Sequence, residues 1–169
     1  MSGTMDHSNI VCKVDSLLLS ALDARSATDP LLFDWTTLFP NGTAAGQASQ
    51  QFYDSRTLTA SATENLDLAG SLTNAFGTTL TFAKIKAIAV KASASNNASN
   101  SVQVARGSSN GVPLFLAASD GVALQPGAWF LFVDPTGVTV TAGTGDILTI
   151  TNSAGTNSVV YEIWILGTD

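Results

Sequence analysis

The chain has 169 residues, 45% of them hydrophobic and only 12% charged, which suits one domain with a buried core and excludes a disordered chain. Seven Lys and Arg against thirteen Asp and Glu leave a net charge of −6, a balance that disfavours nucleic acid and anionic membranes because both require a basic patch. One Cys excludes an internal disulfide framework, and one His removes most metal and triad chemistry.

Residues 1–49 read as an N-terminal arm and linker, and residues 50–169 as a β-domain. Residues 1–9 carry Asp6 and no Lys or Arg, and no window is apolar for long enough to span a membrane. Assembly in a cytoplasm is the expectation. Val11, Val14, Leu17, Leu18, Ala21 and Leu22 recur at helical spacing, with Ser8 as a candidate N-cap, and predict a helix in the arm. Next, Leu31, Leu32, Phe33, Trp35, Leu38 and Phe39 crowd large apolar side chains between Pro30 and Pro40. Left bare, such a cluster is an adhesive patch, so these six are candidate protein-contact residues. The small and polar residues 41–49 predict a flexible linker.

Beyond residue 50, runs rich in Val, Ile, Thr and aromatics alternate with turn residues. They predict strands at Gln51–Thr59, Ile85–Ala92, Ser101–Ala105, Pro113–Ala117, Ala128–Val133, Gly137–Thr141, Ile147–Thr151 and Val159–Leu166. Residues 66–82 fit either a short helix or a looped crossover. About eight short strands at regular spacing predict an all-β, antiparallel β-sandwich of jelly-roll type. Two of these strands, Ala128–Val133 and Val159–Leu166, are apolar on both faces. A sandwich strand with one wet face alternates instead, so the second face requires a cover: the arm, a neighbouring subunit or a host surface. Trp164 on that second face joins the candidate contact residues.

Chemistry-bearing residues are sparse. His7 and Cys12 form a conceivable base and nucleophile, but they lie in the arm, away from any expected pocket. Asp120, Asp134 and Asp146 fall in or beside turns, where Asp ordinarily bonds its own backbone. Glu162 sits among apolar neighbours and is expected to meet Lys84, Lys86, Arg106 or a subunit contact. Tyr53, Trp129 and Trp164 fit either core or a sugar-stacking platform. No nucleotide-binding glycine motif follows a strand. The expectation is a non-enzymatic protein without catalytic residues, metal or cofactor.

The stretches LDLAGSLTNAFG (66–77), LTFAKIKAI (80–88), TAGTGDILTITNSAG (141–155) and YEIWILG (161–167) resemble small structural proteins of tailed-bacteriophage virions. The nearest group is the capsid decoration, or cement, proteins. That resemblance covers roughly residues 55–169 and implies a β-sandwich, often a homotrimer, seated on the capsid exterior where capsomers of the major capsid protein meet. It implies no active-site residues. Head fibres, tail parts and receptor- or carbohydrate-binding modules carry related β-domains and remain alternatives.

Overall fold

The computed structural model describes residues 4–22 and 25–169, all as strands, turns and irregular segments. Two long strands come first, β1 (His7–Leu22) and β2 (Arg25–Pro40), paired antiparallel along their whole length. The domain strands follow: β3 (Gln50–Leu58), β4 (Thr63–Asp67), β5 (Leu72–Thr73), β6 (Thr79–Leu80), β7 (Lys84–Ala92) and β8 (Val102–Arg106). The last four are β9 (Gly121–Leu124), β10 (Trp129–Thr139), β11 (Ile147–Asn152) and β12 (Val159–Thr168).

Eight of these strands make two four-stranded antiparallel sheets, ordered β10-β7-β12-β3 and β4-β11-β8-β9. Counted among themselves, the first strand pairs with the eighth, the second with the seventh, the third with the sixth and the fourth with the fifth. That nesting is the jelly roll. The sandwich expected from turn chemistry is therefore present, with β5 and β6 as a small hairpin beside it.

Between the sheets lie Phe52, Ile88, Val90, Tyr161, Ile163 and Ile165 from the first and Leu66, Val102, Val104, Leu148 and Ile150 from the second. Each large side chain buried in this way contributes roughly 1.5–3 kcal/mol. The outer faces differ. The second sheet turns polar side chains outward, with Thr63 bonded to Thr151 and Thr149 to Asn65. The first sheet turns Tyr53, Trp129, Leu131, Val133, Val160, Trp164, Ala87 and Ala89 outward, the apolar second face that the strand patterns predict.

Four local expectations are corrected. The arm is not a helix: Val14 pairs with Phe33, Cys12 with Trp35 and Ser8 with Phe39 across a ladder. Apolar residues on both faces of a strand also fall at helical spacings, and the long aromatic-rich β2 decides the competition. Residues 41–49 are not a loose linker. Gly42 and Ala48 close a backbone bridge, Gly46 N–H donates to Pro135 O at 2.8 Å, and Ser49 N–H donates to Gly167 O at 2.9 Å. Residues 113–117 are turns and bends rather than a strand, because Arg106 Nη1 reaches in to bond the carbonyls of Phe115 and Leu116. The two strands expected at Ala128–Val133 and Gly137–Thr141 are one, β10, with a bulge between Val133 and Val138. Gly137 sits there at φ +88°, and an added Cβ would lie 2.9 Å from Lys86 Cδ.

Lys86 itself is completely buried in β7. Its Nζ donates to Pro135 O (2.9 Å) and Thr136 O (2.8 Å) in the bulge and to Ala44 O (3.4 Å) in the 41–49 loop. One ammonium thus rivets the loop below the hairpin to the edge strand of the sandwich. Burial holds its pKa below the ordinary lysine value, Lys84 adds repulsion and Asp134 offsets part of it.

Candidate docking surface

The base of the β1–β2 hairpin packs on the outer face of the first sheet. Phe39, fully buried, meets Ala48, Ala87 and Leu166, and Met5, Ile10, Val133 and Trp164 flank this small second core. Phe39, expected among the contact residues, is therefore committed inside its own chain. Its five companions are not. Phe33 is half-buried and tilts against Trp35 at 5.1 Å between ring centres, while Leu31, Leu32, Trp35 and Leu38 are exposed, Trp35 by 69%.

Farther out the hairpin leaves the sandwich. Residues 13–20 and 25–32 are exposed without exception. From Val14 to the end of β1 at Leu22 the ladder runs on for roughly 26 Å at strand rise. Register sorts its side chains into two faces. Ile10, Cys12, Val14 and Leu18 share one with Phe39, Trp35, Phe33 and Leu31, so the face that is buried at the base stays apolar beyond the sandwich edge. The other carries Lys13 opposite Asp34, but also Val11, Leu17, Leu19, Leu32 and Leu38. An isolated two-stranded ribbon is marginally stable in water, and this one exposes an apolar stripe on each side.

Where hairpin and sandwich diverge, a groove of about 450 Å³ runs between Ile10, Cys12, Trp35 and Thr37 on one side and Trp129, Leu131, Val133 and Pro135 on the other. A second groove, of about 270 Å³, crosses the first sheet among Tyr53, Ala89, Trp129 and Trp164. Tyr53, Trp164, Ala89 and Leu131 occupy one row across four strands. Tyr53 and Trp129 are each about three-fifths exposed, Trp164 less so. These aromatics belong to the outer face and not to the main core.

The remaining candidate residues are dispersed. His7 and Cys12 stand five residues apart on one strand, about 16 Å and on opposite faces, so they form no dyad. His7 Nδ1 contacts Asp6 at 2.7 Å instead. Each turn acid serves its own turn: Asp120 accepts from Ala117 N–H, Asp134 from Thr136 N–H and Asp146 from Gly143 N–H. Glu162 is exposed opposite Lys91 and Ser55, whereas Lys86 is committed to the bulge and Arg106 lies on the other sheet. The expected pairing of Glu162 with Lys84, Lys86 or Arg106 does not occur.

No protein-family model matches this chain. No curated protein matches it either.

One polar cluster escaped the sequence reading. Tyr161 hydroxyl donates to Glu64, Arg56 Nη1 donates to the other Glu64 oxygen at 2.7 Å, and Arg56 Nε donates to Asp54 at 2.9 Å. The guanidinium also lies 5.7 Å from the Phe52 ring centre. An acid pair beside a tyrosine resembles catalytic equipment, but one guanidinium occupies both carboxylates and the hydroxyl occupies the same Glu64. The cluster ties β3 to β4 where the two sheets meet.

Burial, then the bond to Glu64 and its charge, push the Tyr161 pKa well above the ordinary 10.0. Below about pH 10 the hydroxyl is neutral in both states, and its contribution to stability is fully present. Above that value the unfolded chain releases the proton and the folded chain does not, so stability falls by about 1.4 kcal/mol per pH unit. Urea unfolding at pH 9, 10 and 11 is expected to show this loss, and Tyr161→Phe is expected to reduce its slope by about that amount. Equal slopes in the two proteins would contradict the assignment.

Proposed function

We propose that this chain is a non-enzymatic structural protein of a tailed-bacteriophage virion, one that decorates and stabilises the capsid by binding at capsomer junctions. The observation that carries this reading is the β1–β2 hairpin, which runs on beyond a jelly roll that has its own core and exposes Val14, Leu17, Leu18, Leu19, Leu31 and Leu32. A sandwich with its own core gains nothing from such a ribbon unless another protein covers it. The major capsid protein is the partner proposed for the hairpin.

The apolar outer face of the first sheet supports a closed homotrimer, with Trp129 and Leu131 on its β10 edge near the subunit contact. Low charge and the Thr63, Asn65, Thr149 and Thr151 hydroxyl and amide groups on the outer face of the second sheet suit permanent residence on a capsid exterior. The resemblance in the strand and turn sequences adds to this reading.

Counting the chain against the major capsid protein in purified virions tests it. A fixed, high ratio across the whole shell is expected. A handful of copies would assign the chain to a fibre or tail part, and absence from the particle would overturn the reading.

A further inference from the structure

A cleft of about 380 Å³ adjoins the second groove at the edge of the first sheet, between β3, β12 and the tip of the β5–β6 hairpin, and shares Tyr53 and Trp164 with it. Tyr53 and Trp164, cross-strand neighbours, line it together with Phe76. Phe76 stands on the 74–77 turn and is 67% exposed, a placement that gives the fold nothing. Among the described residues no charged side chain lines the cleft.

Three amides share the rest of the lining with Thr4, Met5, Ser49 and Ala75, and each amide is oriented by a bond at one end. Asn74 Oδ1 accepts from Phe76 N–H (2.9 Å) and Thr78 N–H (3.0 Å), which leaves its Nδ2 as a donor. Gln50 Nε2 donates to Thr81 O at 2.7 Å, which leaves its Oε1 as an acceptor. Gln51 Oε1 accepts from Trp164 Nε1 at 3.3 Å, which leaves its Nε2 as a donor. Preset donors and acceptors beside flat aromatic faces are what alternating hydroxyls and C–H faces of a pyranose require. Among the described residues a phosphate or carboxylate ligand would find no cation here. The volume falls within the usual range for small-ligand sites.

We propose that this cleft binds a short neutral saccharide, stacked on Tyr53, Trp164 and Phe76 and hydrogen-bonded by Gln50, Gln51 and Asn74. Such binding is independent of whether the hairpin docks on a capsid, and its test involves no particle.

The probe is a panel of neutral gluco-, galacto-, manno- and N-acetylglucosamine oligosaccharides, with sialyllactose as the charged control, added to the full chain. Replacing Trp35 and Trp129 by Phe leaves Trp164 as the sole tryptophan reporter, since the chain has three. Saturable change of Trp164 emission with at least one neutral member, and not with sialyllactose, is expected. Phe76→Ala and Tyr53→Ala should each weaken that binding about tenfold while the thermal transition stays in place. The proposal is overturned if no neutral member binds at millimolar concentration, or if neither substitution changes the affinity. It is equally overturned if the substitutions lower the mass of the oligomer without any sugar binding, because a second copy of the chain then fills the cleft.

Discussion

Joining Lys13 to Asp34 through an Asn-Gly turn, which removes residues 14–33, is expected to leave a folded sandwich that no longer binds particles. Lys13 and Asp34 are direct partners in the ladder, so a two-residue turn closes the shortened ribbon in register. Met5, Ile10 and Phe39 keep their places at the base, and with them the small core against Ala87 and Leu166. Stability in urea should therefore change by less than about 1 kcal/mol, since residues 14–20 and 25–32 are exposed, Phe33 packs only against Trp35 of the same ribbon, and an isolated ribbon adds little. Particle occupancy should fall to background. Removing all of residues 1–48 is a poorer test, because it also strips Phe39, Ala48 and the Ala44 carbonyl from contacts inside the domain. If the shortened chain unfolds more easily by several kcal/mol, the hairpin belongs to the sandwich rather than to a partner.

Lys86→Met is expected to give the largest stability loss of any single substitution outside the main core, about 3 kcal/mol. Methionine preserves most of the stem that packs against Gly137, but the ammonium no longer bonds the carbonyls of Pro135, Thr136 and Ala44. Buried carbonyls left without a donor carry the full desolvation penalty, and bonds to a charged donor are the stronger kind. The loss should be local as well as global. Amide exchange should quicken at Gly46, whose N–H bonds Pro135 O, and the hairpin base should loosen with it. A loss below about 0.5 kcal/mol would mean that the loop and the bulge hold each other without the rivet.

The strands β3, β7, β8, β11 and β12 were readable because turn residues bracket runs of β-branched residues, a purely local signal. The nested pairing was not legible strand by strand: β4 and β9 carry no such bracketed run, residues 113–117 form no strand, and β10 merges two expected ones. The hairpin was not. Leu17, Leu18 and Leu19 are equally compatible with a helix, and only pairing with β2 makes them a strand. Pro135 and Gly137 carry the local chemistry of a turn, yet Lys86, some fifty residues earlier, folds that turn into a bulge. In the same way Arg56, Glu64 and Tyr161 form one cluster across 97 residues between the acid and the hydroxyl. Such partnerships leave no periodicity in the chain. The lysine within the otherwise apolar run from Ile85 to Val90 was the one available clue to a buried, satisfied charge.

The docking surface was half legible. A cluster of apolar residues in the arm pointed to contact, and Leu31, Leu32, Trp35 and Leu38 do lie exposed. The division of labour within that cluster was hidden, since Phe39 differs from Leu38 only in which face of β2 it occupies. Which face is covered depends on where the ribbon meets the sandwich, a property of the whole fold.

Hydrogen exchange of the β1–β2 amides, measured on the free chain and again on chain bound to particles, tests the docking hairpin most directly. Free, the ribbon beyond Val14 lacks packing and should exchange fast, while β7 and β12 exchange slowly. Bound, the same amides should gain protection of at least about a hundredfold as a partner covers Leu17–Leu19 and Leu31–Leu32. Fast exchange that persists on the particle, with new protection elsewhere on the sandwich, would contradict a docking role for the hairpin.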